Sequence, residues 1–265
     1  MKSFRRLLEL WARGKIFTRT LVVHGQPYPI RISPDAQLKY MKLGDAKFDC
    51  DLVDIAEAFV QENSIVWDVG ANVGVFTFAA AAIATEGTVV SIEADAWLAG
   101  LLRQTRNLLP YRDRDVRVVP VALSESNGIA TFQISARGRA SNALEIAGGR
   151  SQMGGVREKQ YVPTLTMDTL LASFPAPDFV KIDVEGAEVM VIEGAEKLMR
   201  EVRPIFYIEV GPSASKDIIA AFKQVNFEIY SNVGEHLIDT CTNDTFFVPI
   251  EKVQYFEESV QALNQ

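Results

Sequence analysis

Residues 64–74 read SIVWDVGANVG and constrain this chain more than any other stretch. An apolar run rich in β-branched residues passes into an Asp-x-Gly-x-Asn-x-Gly turn, and a helical pattern follows over residues 75–84. This predicts a buried strand, a tight turn and a helix start. Glycines at such a turn adopt backbone conformations closed to other residues and allow a ligand to approach closely. The helix start beyond offers unpaired N–H groups and the positive end of a dipole, suited to a carboxylate or other anion. Asp68, at the strand's carboxyl end, adds an acceptor for a cationic or donor-rich part of the same ligand.

The rest of the chain supplies partners for that strand. Residues 88–93 (TVVSIE), 116–121, 179–183 (FVKID) and 204–210 (PIFYIEV) read as further buried strands, and helical stretches fall at 96–109, 187–201 and 215–224. Strand–helix alternation from 64 to 224 implies parallel strands joined by right-handed crossovers. Residues 227–230 and 245–248 read as a terminal strand pair, 129–134 and 161–165 as extra strands, and 167–174 as a short helix. Residues 135–158, rich in Gly, Ser and Arg, read as a long functional or mobile loop. Upstream, residues 49–62 have helical spacing, and residues 20–33 alternate around His24-Gly25-Gln26-Pro27 as a β-hairpin does. The expected organisation is an N-terminal helix and hairpin extension over 1–62 and a main α/β domain over 63–265.

Composition excludes several classes. The chain has 265 residues, 48% hydrophobic and 23% charged, which is ordinary for a globular domain. A net charge of −7 disfavours a nucleic-acid backbone as partner. Two distant cysteines, Cys50 and Cys241, and two histidines make a structural zinc site improbable and fit a reducing compartment. Charges interrupt residues 1–17, so no signal peptide or membrane span is expected, and the expected location is cytoplasmic. Residues 1–20 carry six cations against Glu9 alone, with Phe4, Leu7, Leu8 and Trp11 on one helical face. That segment reads either as a helix covering the edge of its own domain or as one lying on a membrane surface or a partner.

In an open parallel sheet, ligands bind beyond the carboxyl ends of the strands. Four strands here end in acids: Asp68, Glu93, Asp183 and Glu209. A buried acid is costly unless paired, so such tips are expected to face a crevice or cap the following helix. Glu93 stands about 20 residues past the glycine turn, where an acid holds ribose hydroxyls. The turn lacks the G-x-G-x-x-G of a dinucleotide site and instead suits an amino-acid end. A ribose joined to an amino-acid end describes S-adenosylmethionine.

Residues 66–74 resemble the first motif of class I S-adenosylmethionine-dependent methyltransferases. TLTMDTLL at 164–171, FVKIDVEGAE at 179–188, IEGA at 192–195, Arg203-Pro204 and Glu209-Val210 are similar to the FkbM methyltransferase family. The resemblance covers about residues 64–250. It implies a Rossmann-like class I methyltransferase fold: a mostly parallel seven-stranded sheet, the last strand antiparallel, with helices on both faces. It also implies O-methylation of a small-molecule, saccharide or glycolipid hydroxyl. By position, Asp68, Gly70, Ala71, Asn72 and Gly74 flank the methionine part and Glu93 the ribose. Ala94, Asp95 and Ala122-Leu123-Ser124 fall near the adenine.

Methyl transfer requires an acceptor oxygen aligned with the methyl group and a group to take the hydroxyl proton. Asp183 and Glu185 stand beside the expected methyl position as base or hydroxyl orienter, or Asp183 holds the methionine ammonium. His24 and His236 are reserve bases, each with a structural alternative. No metal is expected, although a carboxylate pair is also a Mg²⁺ ligand type. Ser141-Asn142, with Arg137, Arg139 and Arg150, is read either as closing over phosphate or carboxylate groups of the acceptor or as a solvated loop. The competing functions are a nicotinamide-dependent oxidoreductase, a non-catalytic cofactor-binding partner subunit, and a nucleic-acid amine methyltransferase.

Overall fold

The computed structural model describes residues 10–41, 50–147 and 154–263. Its centre is an eight-stranded sheet in the order β13-β12-β14-β11-β10-β3-β4-β5. Five strands run parallel: β3 (Ile65–Val69), β4 (Thr88–Ile92), β5 (Asp115–Val119), β10 (Phe179–Ile182) and β11 (Ile205–Glu209). β14 (Asp244–Pro249) inserts antiparallel between β11 and β12 (Phe227–Ser231). These are the seven strands expected, with the last antiparallel. The eighth, β13 (His236–Leu237), is a two-residue addition at the edge.

The parallel strands are mostly apolar because both faces are covered; β4, TVVSI, is buried at every residue. One face packs α1 (Cys50–Phe59), α2 (Val75–Ile83) and α7 (Val253–Leu263) around Phe59, Phe76, Phe179, Phe246 and Phe256. The other packs α4 (Met167–Leu171), α5 (Glu188–Glu193) and α6 (Ser215–Lys223) around Trp67, Phe206, Phe222 and Phe247. α3 (Ala96–Arg106) follows β4 and buries Leu98, Leu101 and Leu102.

The helix expected over 187–201 is broken. α5 stops at Glu193, and a π turn over Leu198–Val202 follows. A Cβ on Gly194 would lie 2.3 Å from the Ser124 carbonyl oxygen, so that backbone approach requires glycine. The Asp168 carboxylate accepts the N–H groups of Lys197 and Leu198, each at 2.9 Å, and starts the second segment.

β1 (Phe17–Val23) and β2 (Gln26–Ile32) form the expected hairpin. His24 and Gly25 both take positive φ, 46° and 72°, as a two-residue turn between twisted strands requires. Leu21, Val23, Ile30 and Ile32 face the core. Of the expected N-terminal helix, residues 1–9 lie outside the described residues, and 10–12 form a helical turn.

Residues 122–165 differ most from expectation. β6 (Ala122–Leu123), β7 (Gly128–Ser135), β8 (Ala143–Leu144) and β9 (Val156–Leu165) build a second sheet in the order β6-β9-β7-β8. The supposed loop of 135–158 therefore contains β8 and the start of β9. Its polar outer residues hide a small apolar side of Phe132, Ile134, Leu144 and Val162, which packs on Ala122 and Ala187.

Candidate functional site

Chain order places the crevice. β3 has β4 on one side and β10 on the other, so the connections leaving β3 and β4 diverge from that leaving β10 at the carboxyl edge. Such a switch point leaves an opening above the strand ends. The glycine turn after β3 occupies it. Gly70 and Ala71 both donate to the Ile92 carbonyl at 3.0 Å, tying the turn to β4. Gly70 has φ 76°, and a Cβ there would lie 1.8 Å from the Asp183 carbonyl oxygen. Asp183 in turn donates its N–H to the Val69 carbonyl at 3.0 Å. Asn72 also has positive φ, 54°, and its N–H donates to Glu93 Oε2 at 2.8 Å.

Two lobes flank this turn and share Gly70, Asn72 and Asp183 as a common wall. The first holds about 590 Å³ of empty space and is bounded by Glu93, Ala94, Leu98, Ala122, Leu123, Val184 and Glu185. Phe132 and Leu144 of the second sheet close it from above, with Arg139 and Asn142 beside them. The second lobe holds about 980 Å³ and is more polar. Its lining includes Lys39, Tyr40, Asp51, Ala71, Lys181, Tyr207, Glu209, Asn232, Asn243 and Asp244.

Glu93 and Asp183 thus reach the crevice as read from sequence, and Glu209 reaches the second lobe. Asp68 lines neither lobe. It is 0% exposed, accepts a hydrogen bond from Thr77 Oγ1 at 2.5 Å, and has Lys181 Nζ 3.4 Å from its Oδ1. Gly74 also lies behind the wall: its φ is 90°, and a Cβ would meet Leu102 and Phe78, so this glycine serves packing. Asp95 caps α3 through the N–H groups of Trp97 and Leu98, and its other oxygen accepts from Arg139 and Asn142. It is a buried support for the first lobe and not part of its lining.

Lys181 is the residue that the sequence reading passed over. It sits within β10 and is 5% exposed. Its ammonium lies 3.4 Å from Asp68, 3.7 Å from Asp183 and 3.4 Å from the Gly70 carbonyl, which accepts its hydrogen bond. Burial opposes its charge, but Asp68 and Asp183 outweigh burial and raise its pKa above the ordinary lysine value. A lone lysine inside an otherwise apolar buried strand was the available signal, since such a charge needs acidic partners nearby.

Glu93 receives a second N–H from Asp95, at 2.8 Å to Oε1. Burial, reinforced by the charges of Asp95 and Asp68, pushes its carboxyl up to about 8, against the opposing pull of the two N–H bonds. Asn72 Oδ1 is buried and accepts no hydrogen bond among the described residues, so the crevice wall presents an acceptor ready for a ligand donor.

Two arginines of residues 135–158, Arg139 and Arg157, are engaged within the fold. Arg139 is buried, pairs with Asp35 at 3.2 Å and with Asp95, and lies over the Trp97 ring at 4.8 Å. Arg157 makes a two-pronged contact with the same Asp35 at 2.8 and 3.3 Å. Burial opposes ionisation of Asp35, but the two arginines prevail and lower its pKa. Arg137 is exposed, and Arg150 lies outside the described residues. His24 and His236 line neither lobe; His236 meets Glu228 at 2.8 Å on the far edge of the sheet. Among the described residues, the one group of donors close enough to share a metal ion is Cys50, Asp51 and Asp54, which contains neither Asp183 nor Glu185.

Residues 68–229 match the methyltransferase FkbM domain. The hexuronic acid methyltransferase AglP of Haloferax volcanii is 24% identical over 179 residues, 66% of this chain and 68% of that protein. Among solved structures, methyltransferase FkbM from Methylobacillus flagellatus has a TM-score of 0.48 at 17% identity. That similarity covers 71% of this chain and 44% of the other, so this chain spans less than half of it. A 16S rRNA methyltransferase from T. thermophilus, in complex with AdoMet and guanosine, has a TM-score of 0.48 at 11% identity, covering 88% of this chain and 50% of that one.

Proposed function

Because the chain belongs to the FkbM family of S-adenosylmethionine-dependent methyltransferases, we propose that it transfers a methyl group from S-adenosylmethionine to a saccharide hydroxyl. The observation that carries this reading is the two-lobed crevice with one shared wall. The first lobe combines an apolar slot, between Leu98, Ala122 and Leu123, with one acid after β4, Glu93, set apart from Asp183 and Glu185 after β10. That suits an adenine and its ribose. Gly70, Ala71 and Asn72 hold the methionine part, and Ala94 borders the base. The unsatisfied Asn72 Oδ1 fits the donor-bearing cofactor. Asp68 contributes indirectly, by fixing Lys181 and through it the wall. When bound, S-adenosylmethionine supplies the electrophilic methyl group and a thioether leaving group.

The second lobe takes the acceptor. Hydroxyl-rich ligands need many hydrogen-bond partners, which Tyr207, Asn232, Asn243 and Asp244 provide. Asp51, Asp183, Glu209 and Asp244 also make this lobe rich in carboxylates. A neutral sugar hydroxyl suits that field better than a carboxylate placed at the methyl position, where like charges repel. The relative named for hexuronic acid supports a sugar acceptor, and the lobe's charge favours a hydroxyl of that sugar as the methylated group.

Asp183 faces both lobes and takes the acceptor proton as its oxygen gains the methyl group. Glu185, on the first lobe alone, orients the approach. The test is transfer of labelled methyl from S-adenosylmethionine to a panel of neutral and uronic saccharides, with S-adenosylhomocysteine binding measured alongside. Asp183→Asn is expected to bind S-adenosylhomocysteine within a few-fold of wild type and to lose about 10²–10⁴ in turnover. Binding without transfer to any hydroxyl would favour the cofactor-binding subunit. Methylation confined to uronate carboxylates would replace the acceptor assignment.

A further inference from the structure

The described part of the basic N-terminal segment, residues 10–20, has no part in the site described above, yet Arg19 within it bonds to a residue that lines the acceptor lobe. Residues 1–34 hold seven of the chain's 27 Lys and Arg but one of its 34 Asp and Glu. Between Leu10 and Pro34 there is no acidic residue at all. In this otherwise acidic protein, that stretch also places four apolar side chains in solvent within eight residues. Leu10, Trp11, Ile16 and Phe17 are 48, 50, 36 and 38% exposed. Arg13 is exposed among them, and Lys15 Nζ stands 4.5 Å from the centre of the Trp11 ring.

Three contacts hold this patch to the segment that follows the hairpin, and one of them reaches the acceptor lobe. Ser33 Oγ donates to the Lys15 carbonyl at 2.7 Å, Gly14 N–H donates to Asp35 at 3.3 Å, and Arg19 Nη2 donates to the Tyr40 carbonyl at 3.3 Å. Tyr40 and Lys39 line the acceptor lobe. We propose that Trp11, Ile16 and Phe17, with Arg13 and Lys15, seat on an anionic lipid bilayer and turn the acceptor lobe toward a saccharide carried on a lipid. Trp and cations together are the side chains that partition to the headgroup region, and anionic lipid attracts the cations over a screening length. The lipid-borne acceptor rests on the assignment of the second lobe to a saccharide; the bilayer contact does not.

The test uses the full chain and vesicles, without turnover. Sedimentation with phosphatidylcholine vesicles containing phosphatidylglycerol should carry the protein down, and pure phosphatidylcholine vesicles should leave it in solution. About 0.5 M NaCl should release it, since screening at that strength is short-ranged. The double variant Arg13→Glu with Lys15→Glu should bind about tenfold more weakly or worse, with an unchanged circular dichroism spectrum and unchanged S-adenosylhomocysteine affinity. Trp11 fluorescence should shift to the blue on anionic vesicles and be quenched by brominated lipid, a signal lost in Trp11→Phe. Equal binding to neutral and anionic vesicles, wild-type binding by the double variant, or a Trp11 emission unmoved by vesicles would overturn the proposal. So would a stable dimer or protein complex that covers Trp11 and excludes vesicles. Failure of the methyl-transfer assay with intact vesicle binding would instead fall on the function proposed for the site.

Discussion

A nucleoside entering the first lobe meets a carboxyl that is largely protonated at neutral pH. Glu93 is pushed up to about 8 by burial, with Asp95 and Asp68 adding to the shift. If both ribose hydroxyls donate to it, binding requires the carboxylate. The apparent dissociation constant then scales with one plus ten to the power of the pKa less the pH. With a free-protein pKa of about 8, that factor is about 100 at pH 6, about 11 at pH 7 and close to 1 at pH 9. Affinity should therefore rise about 90-fold from pH 6 to 9, roughly 2.7 kcal/mol, with a slope near tenfold per unit below pH 8. At pH 7 about 0.9 proton should leave per ligand bound. The probe is 5′-methylthioadenosine, which has the adenine and ribose but no titrating amino-acid end. Calorimetry in two buffers of different ionisation enthalpy counts the protons directly. Glu93→Gln should flatten the profile and bind about 1–3 kcal/mol more weakly than wild type at pH 9, the cost of charge-assisted hydrogen bonds. A wild-type affinity that changes less than about threefold across the range would refute the ribose contact. The same shift makes a statement about folding without ligand. The folded carboxyl holds its proton above its ordinary value of 4.5. Stability should fall as pH rises from about 4.5 to about 8, and the loss should stop above that.

The interior ion cluster and the turn give further tests. Lys181→Met leaves Asp68 buried without its cation and should destabilise the protein by about 3–5 kcal/mol in urea unfolding; a loss below about 1 kcal/mol would show that the pairing is not what holds the wall. Asp68→Ala leaves the buried lysine with Asp183 as its remaining acid, so its loss of S-adenosylhomocysteine binding should come with a lowered unfolding midpoint. Gly70→Ala combines positive φ with a Cβ 1.8 Å from the Asp183 carbonyl; binding of S-adenosylhomocysteine should vanish, and retained affinity would contradict the close approach. Glu185→Gln should reduce turnover more than cofactor affinity, whereas equal turnover would remove Glu185 from the reaction.

Much of this architecture could be read from local pattern. β3, β4, β10 and β11 are covered on both faces, so their side chains are mostly apolar, with Asp68 and Lys181 the charged exceptions inside them, and their helices follow at regular intervals. The acids Glu93, Asp183 and Glu209 were visible because polar residues at the ends of such strands have few places to go. Asp68 looked the same in sequence but faces inward, because Thr77 on α2 and Lys181 on β10 supply partners that only the folded register brings together. The second sheet was legible only in part. β9 exposes Val156, Glu158, Lys159 and Tyr161 without a regular alternation, and β8 is two residues long, too short for any period to show. Arg139 stays undecided between a substrate contact and a solvated loop, because sequence cannot show that Asp35, more than 100 residues earlier, lies against it.

The two sides of the second lobe differ in how freely they accept change, and this matters for anyone wishing to retarget the enzyme. Position 70 is locked by a main-chain contact and position 181 by the acids that share its ammonium, so diversity introduced at those two will mostly yield unfolded clones. Gln37, Asn232 and Asn243 border the same space from connecting segments outside the strands. A combinatorial library restricted to those three codons samples new acceptor shapes while leaving the framework of the crevice intact.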